Sequence, residues 1–330
     1  SACTPGCSAL SIPRRGNTWN LTAGCPRISP SFCKSSAKFP AKEGSPLKLS
    51  DILLVTDCDG TLLRGDKTVS DADRAAIAAW KAKGGRFTIA TGRSLPTAAF
   101  LLESLPLDLP VILYNGAMLY DPIAKRPLWT AEIPPEAHIA AEKAAKRFSA
   151  SAGMEVLTPE GLYAVRVTPM IEEHLGGLQK VLYRKASFAE LGQKRWLKVM
   201  IALPEEEMDA LRAFLEGLNV PGVRFVRSER YYFEMLPAMA SKGAALTALC
   251  ARCGISLAHT VAIGDCDNDL EMLEAAGAGY AVANAYPSVR AKAGRTTCSN
   301  EEGAAAAVIA ELLSDPEAVF SSRSNTERND

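Results

Sequence analysis

Two short acidic clusters carry most of the chemistry that this 330-residue sequence offers. The first is Asp57-Cys58-Asp59-Gly60-Thr61-Leu62-Leu63; the second is Gly264-Asp265-Cys266-Asp267-Asn268-Asp269. In the first, two carboxylates stand two residues apart, next to a glycine suited to a tight turn. One such carboxylate can attack while its neighbour handles a proton. Acids from both clusters can share a divalent cation, because hard cations prefer oxygen ligands. An EF-hand loop would need D-x-[DN]-x-[DN]-G with Glu at position twelve. Counted from Asp57, positions five and twelve are Thr61 and Thr68; counted from Asp265, positions six and twelve are Leu270 and Ala276. Both clusters fail that pattern. Either alone would pass as solvated acids capping a helix, but the two together fit that reading poorly.

Two further segments complete a set. Thr91-Gly92-Arg93 offers a hydroxyl and backbone amides, which can hold phosphate oxygens; taken alone, Thr91 reads more simply as a helix cap. Ser241-Lys242-Gly243 puts a lysine in the first turn of a helix. A lysine is poorly matched to a positive helix N-terminus, so an anionic partner would explain it, although a surface lysine is the simpler reading of Lys242 taken alone.

The elements that must position these residues are legible in outline. Ile52 to Thr56 is a short apolar run, which reads as a strand buried on both faces of a parallel sheet. Ser70 to Lys83 reads as a helix, with a capping-box-like Ser70 and Asp73 at its start and Gly84-Gly85 at its end. Phe87–Ala90 and Val111–Tyr114 are further short apolar runs, and Leu95–Leu105 between them is helical. Strand, helix, strand, helix, strand is the pattern of an α/β fold. It returns later. Lys242–Cys253 is a helix capped by Ser241 and stopped by Gly254, Val261–Ile263 a strand, and Asp269–Ala276 a helix ended by Gly277. Tyr280–Ala283 is a strand and Ala304–Leu313 a helix. Residues from about 314 onward turn polar and are expected to fray. In open α/β sheets ligands bind beyond the carboxyl ends of the strands, which is where both acidic clusters and Thr91-Gly92-Arg93 fall. The middle of the chain differs. Pro134–Phe148 is a helix, short strands lie near Glu155 and Tyr163, and Ile171–Leu182 is a second helix. Trp196–Leu203 alternates as a strand, Glu205–Leu218 is amphipathic, and strands follow near Val223 and Tyr232. That order predicts an antiparallel α+β insert.

Composition narrows the function. Lys and Arg total 37, as do Asp and Glu, so the formal net charge is zero. Nucleic-acid binders usually carry a basic excess, and none is present. The longest apolar run, about Ala304 to Leu313, is broken by Glu311 and falls short of the roughly 18 residues a membrane span needs. The neutral sum hides an asymmetry: residues 1–50 hold seven basic groups against one acid, Glu43, net +6, and the remainder is net −6. Those first residues are rich in Ser, Pro and Gly and poor in acids. They read as an unstructured leader or an organelle transit peptide, and no apolar core of a secretory signal is visible. The expected location is intracellular, cytoplasmic or, if the leader is a transit peptide, in a plastid or mitochondrion. Nine cysteines form no zinc pattern. Cys250 and Cys253 are a lone pair, and His138, His174 and His259 are far apart. Helix packing is the simpler reading of Cys250 and Cys253.

Taken together, D-C-D-G-T-L-L, A-T-G-R, N-G-A at Asn115–Ala117, S-K-G-A-A-L and G-D-C-D-N-D resemble the haloacid dehalogenase-like hydrolase superfamily, and its Cof-type phosphatase branch most. A-N-A around Asn284 and S-N-E-E-G around Asn300 look like that family's closing segments. The resemblance covers about residues 50–315. It implies a Rossmann-like core with a parallel sheet, interrupted by an inserted α+β cap: leader 1–49, core 50–130, cap 131–228, core 229–315, and a polar tail 316–330. It implies a Mg²⁺-dependent phosphatase acting on small phosphorylated metabolites, such as sugar phosphates or phosphorylated cofactors, through an aspartyl-phosphate. Asp57 would be the nucleophile and Asp59 the acid and base, starting protonated. Mg²⁺ would be held by Asp57, the main-chain carbonyl of Asp59, and Asp265. Thr91, Gly92, Lys242, Asn268 and the Cys58 amide would bind phosphate, with Asp269 and Asn115 in support. Cys58 stands where the family usually has an apolar or aromatic residue, and with Cys266 it suggests sensitivity to oxidation. Within the cap, Lys194, Arg195 and Trp196 read either as substrate contacts or as a basic pair snorkelling beside a core tryptophan. A sugar phosphomutase and a catalytically silent regulatory protein are the alternatives on this fold; retention of Asp57 and Asp59 disfavours the second.

Overall fold

Acids at the carboxyl ends of strands need a dry sheet beneath them, and the computed structural model of the protein shows how the chain builds it. The structure describes residues 47–176 and 182–321; the expected leader falls almost wholly outside them. β1 (Leu53–Thr56) is buried throughout. α1 (Asp71–Ala82) starts at Ser70, whose hydroxyl accepts from the Asp73 amide. β2 (Arg86–Ile89) and α2 (Leu95–Ser104) follow, then β3 (Val111–Leu113), β4 (Met118–Asp121) and β5 (Arg126–Thr130).

The inserted cap comes next. It holds α3 (Pro135–Arg147), β6 (Gly153–Thr158), β7 (Gly161–Arg166), α4 (Pro169–Gly176), β8 (Tyr183–Lys185) and α5 (Phe188–Leu191). It continues through β9 (Lys198–Ala202), α6 (Met208–Gly217), β10 (Val223–Glu229) and β11 (Tyr232–Pro237). The chain then returns through α7 (Lys242–Cys253), β12 (Thr260–Gly264), α8 (Leu270–Ala275), β13 (Ala278–Ala281) and α9 (Pro287–Lys292). It ends in β14 (Arg295–Thr296), α10 (Ala304–Ser314) and α11 (Pro316–Ser321).

The core sheet is parallel, ordered β14-β13-β12-β1-β2. β1 and β12 lie side by side, so the two acidic clusters leave adjacent strand ends. This is the α/β core that the periodicities predict. The third apolar run behaves differently. β3 meets the parallel layer through an Ala90–Ile112 bridge and pairs antiparallel with β4, which in turn pairs antiparallel with β5. The chain reverses there because Tyr114, Asn115 and Gly116 all take positive φ, at 53°, 53° and 92°. A Cβ on Gly116 would stand 2.1 Å from the Ser241 carbonyl oxygen, so only glycine fits.

The cap sheet is ordered β10-β11-β9-β6-β7-β8. It is antiparallel except for the parallel pair β7–β8, which the sequence reading did not include. It also runs on to Pro237, past the residue 228 where the sequence suggested a return to the core. Strand periodicity divides its residues between two faces. Met154, Val156, Val199, Ile201, Phe233 and Met235 pack against the alanines of α3 and the leucines of α6. On the other face Leu157, Met200 and Leu236 join the hydrophobic cluster of the core. Of the helix expected over Ile171–Leu182, α4 covers Ile171 to Gly176, residues 177–181 lie outside the described residues, and Leu182 is not helical. Nor does the chain fray at once beyond 314. Pro316 opens α11, Val319 is buried, and Arg295 donates to the carbonyls of Ala318 and Val319. Among the described residues no helix is long and apolar enough to cross a membrane.

α10 begins at Gly303, which has no side chain to cap it. Asp73 of α1 does so instead, accepting the Ala306 amide at 2.8 Å, with its other oxygen on Ser70 Oγ at 2.7 Å. Asp73→Ala should therefore cost about 1–3 kcal/mol, read as a lower denaturation midpoint. A midpoint equal to wild type would contradict this cap.

Candidate active site

The site forms where β1, β2 and β12 end. Asp57 follows β1 and is almost wholly buried. Its Oδ1 accepts from Lys242 Nζ at 2.5 Å, and the same ammonium donates to Asp269 Oδ1 at 2.6 Å. Lys242 is placed by the first turn of α7, capped by Ser241. Asp269 Oδ2 accepts the amides of Asp265 and Cys266, at 3.0 and 3.1 Å, which ties the second acidic loop together. Asp265 itself is held by Thr61 Oγ1, which donates to its Oδ1 at 2.9 Å. Gly60, at φ 82°, lets the first loop approach: a Cβ there would lie 2.6 Å from Asp265 Oδ2.

Carboxyl oxygens of Asp57, Asp265 and Asp269 gather within 4.8 Å of one another, around one lysine. Burial alone would lower the Lys242 pKa, but the Asp269 and Asp57 charges outweigh it, and the ammonium stays protonated. For the acids, burial comes first. It pushes Asp57 up against the pull of Lys242, and pushes Asp265 to about 7 with the help of the Asp269 charge. An all-oxygen cluster short of positive charge is suited to a hard divalent cation.

Asp59 is turned elsewhere. Arg93 grips it with two hydrogen bonds, Nε to Oδ2 at 2.6 Å and Nη2 to Oδ1 at 2.8 Å, and Lys67 Nζ adds a third at 3.0 Å. Burial would raise its pKa, but the Arg93 bonds and charge, then Lys67, bring it down to about 2. This corrects the expectation of a protonated Asp59: in this arrangement it is an ionised partner of Arg93. Its side chain is not part of the acidic cluster. Its main-chain carbonyl, the expected cation ligand, accepts no hydrogen bond among the described residues.

The phosphate-facing groups are only partly as expected. The Thr91 amide donates to the Ile112 carbonyl and the Arg93 amide to Thr91 Oγ1, so neither is free. The amides of Gly92, Cys58 and Asp59 have no acceptor among the described residues. Asn268 Nδ2 donates to Asn115 Oδ1 at 3.0 Å, and Asn268 Oδ1 is buried without a partner among the described residues. The Cys58 side chain is fully buried in the core. Burial raises its thiol pKa and that of Cys266, the latter to about 12, which opposes thiolate formation and the suggested oxidation sensitivity.

Core and cap enclose a cavity of about 740 Å³, with Asp57, Asp59, Gly92, Arg93, Asp265 and Asn268 on the core side. Glu155, His174, Lys198, Tyr232 and Glu234 line the cap side, and none of them is among the site residues expected from the sequence. A charged residue inside an otherwise apolar strand was the available signal for Lys198 and Glu234. Lys194, Arg195 and Trp196 do not line this cavity. Arg195 pairs with Glu132 and Glu160 at the surface and Trp196 is core, the snorkelling arrangement.

A family model described as haloacid dehalogenase-like hydrolase matches residues 54–309. An HMP-PP phosphatase of Serratia proteamaculans is 31% identical over 241 residues, 72% of this chain and 86% of the relative. A 5-amino-6-(5-phospho-D-ribitylamino)uracil phosphatase of Bacillus subtilis is 27% identical over 267 residues, 79% of this chain and 97% of the relative. A solved haloacid dehalogenase-like hydrolase from Bacteroides thetaiotaomicron matches with a TM-score of 0.71 at 24% identity, covering 79% of this chain and 99% of its own. At that identity the likeness is one of fold.

The Arg93 clamp has a measurable consequence. A carboxyl whose pKa is depressed by folding stabilises the native state above its unfolded pKa, and that stability is lost as pH falls through the folded value. Arg93→Met should raise the Asp59 pKa in a carboxyl NMR titration. Its stability deficit against wild type should shrink as pH falls from about 4 to about 2. An unchanged Asp59 titration would show that the clamp does not form in solution.

Proposed function

The chain belongs to the haloacid dehalogenase-like hydrolase family and is a phosphatase of small phosphorylated metabolites, and we propose that it acts through Asp57 as nucleophile. The observation that carries this reading is the placement of Asp57: a buried carboxylate at a strand end, on the cavity wall, with one oxygen held by Lys242. Its other oxygen would attack phosphorus in line with the departing ester oxygen. The P–O bond to the leaving group breaks as the aspartyl-phosphate forms. Water then attacks the phosphorus of that intermediate and frees Asp57 and inorganic phosphate.

A phosphate dianion repels an approaching carboxylate, so positive charge is the first requirement. Lys242 has two N–H donors committed to Asp57 and Asp269, which leaves one for the reacting group. The free amides of Cys58, Asp59 and Gly92, with the Thr91 hydroxyl, suit the non-bridging oxygens. Mg²⁺, held by Asp57, Asp265 and the Asp59 carbonyl, would neutralise part of the phosphate charge. Asp269 is engaged by Lys242 and two amides and would hold the loop rather than the cation.

Asp59 must change protonation state for its part. Arriving phosphate competes with Asp59 for Arg93 and Lys67. Once both are drawn onto phosphate, the burial of Asp59 is no longer offset and its pKa rises. It can then take up a proton, give it to the leaving alkoxide, and later accept one from the attacking water. The leaving group occupies the cap side of the cavity. The named activities of the two bacterial relatives support a phosphorylated small metabolite there.

Asp57→Asn should lower kcat/KM by about 10³-fold or more while leaving the thermal midpoint near wild type. A variant that keeps most of its turnover would refute Asp57 as nucleophile. Chelation with EDTA should silence phosphate release and added Mg²⁺ restore it; full activity in chelator would refute the cation's role.

A further inference from the structure

Hydrogen bonds between cap and core, to which the chemistry above assigns no role, converge on Lys198 and Glu234. Lys198 Nζ donates to the Gly92 carbonyl at 3.0 Å and to Glu234 Oε1 at 2.5 Å. Glu234 Oε1 also accepts from Ser228 Oγ at 2.8 Å, and Oε2 accepts from Asn115 Nδ2 at 2.5 Å. Asn115 Oδ1 accepts from Asn268 Nδ2. Lys198 and Glu234 are 4% and 2% exposed. They share a sheet face, since Glu234 lies opposite Met200 and Lys198 is two residues before it on β9.

The polarity of this chain is set from the cap end. A carboxylate only accepts, so Asn115 must turn its NH₂ to Glu234 and its oxygen to Asn268. Asn268 must then give its own NH₂ to Asn115, which directs its Oδ1 away from Asn115. That oxygen is the buried one with no partner among the described residues, on a residue that lines the cavity three positions after Asp265. On the other branch Lys198 fixes the Gly92 carbonyl, and with it the loop that carries the free Gly92 amide.

We propose that Lys198 and Glu234 are positioning residues for phosphoryl transfer, making the orientation of Asn268 and of the Thr91–Arg93 loop depend on a closed cap. This rests on reading the cavity as the phosphatase site. When the cap lifts, its bonds to Gly92 and Asn115 break, and the two amides lose the carboxylate that orders them. A leaving group that holds the cap shut thereby governs chemistry it does not touch. The two charges neutralise each other, so closure buries neither one unpaired.

p-Nitrophenyl phosphate separates positioning from recognition, because its leaving group offers the cap no sugar or base to read. Glu234→Gln replaces one accepting oxygen with a donor and cannot serve both Lys198 and Asn115. Lys198→Met removes the donors at similar length. On the full chain, each is expected to lower kcat for this ester by about tenfold or more with KM within about threefold of wild type. The double variant, which leaves no charge unpaired, should lose no more than the worse single, since the two act as a unit. Lys198→Arg should recover part of the kcat lost in Lys198→Met. A kcat within about twofold of wild type in both singles, a loss confined to KM, or losses that multiply in the double would overturn the proposal. Unfolding of the double variant by circular dichroism would also overturn it, by showing the pair to be structural. A wild-type protein silent on every ester would overturn the phosphatase reading and this one together; active wild type with unaffected variants would overturn this one alone.

Discussion

A single buried ammonium, Lys242, stands against three crowded carboxylates, and much of the core is arranged around that imbalance. Lys242 bonds both Asp57 and Asp269, one from each acidic loop. Burying unpaired charges costs several kcal/mol or more, so each partner must arrive accurately. β1 and β12 are adjacent to bring the two loops together. α7 starts where it does so that Lys242 reaches under them, and Gly116 clears the space that the Ser241 carbonyl fills. The remaining excess of negative charge is what a cation and a phosphoryl group would use.

The same logic recurs one layer up. Asp59 is held ionised by Arg93 and Lys67, and the cap contributes its own buried pair, Lys198 and Glu234. Each of these cations faces a carboxylate and also lines the cavity. On the proposed reading, an anionic substrate would enter a site whose cavity-lining cations are already paired, and binding would be an exchange of partners rather than the filling of an empty charge. In the proposed mechanism this would let Asp59 be ionised at rest and still serve as an acid when phosphate competes for its clamp.

Much of this was legible in the sequence where the chemistry is local. The two acidic loops, Lys242 with its Ser241 cap, and the buried strands before each loop all stand where periodicity and spacing put them. What escaped was non-local or atypical. The Asp59–Arg93 clamp joins residues 34 apart, across the ends of β1 and β2, and nothing in either segment announces it. The hairpin β4–β5 was hidden by Pro127, which reads as a strand breaker but is tolerated because β5 is an edge strand. β8 is a three-residue exposed edge, Tyr-Arg-Lys, with no apolar alternation to mark it. α11 is a short helix at the start of a polar C-terminal stretch, with too few residues to show a period, yet one buried side chain, Val319, and the Arg295 hydrogen bonds anchor it. Lys198 and Glu234 were visible as charges in apolar strands, but only the cap's docking shows what they touch.

Nucleophilic catalysis at this site requires a covalent bond between phosphorus and Asp57. Turnover of a phosphate monoester quenched in the steady state, followed by borohydride reduction and peptide mass spectrometry, reads that bond directly. The expected result is Asp57 reduced to homoserine in the peptide that spans β1, dependent on substrate and absent from Asp57→Asn. An unmodified Asp57 in enzyme that is turning over, or reduction at another carboxylate such as Asp59 or Asp265, would contradict the account.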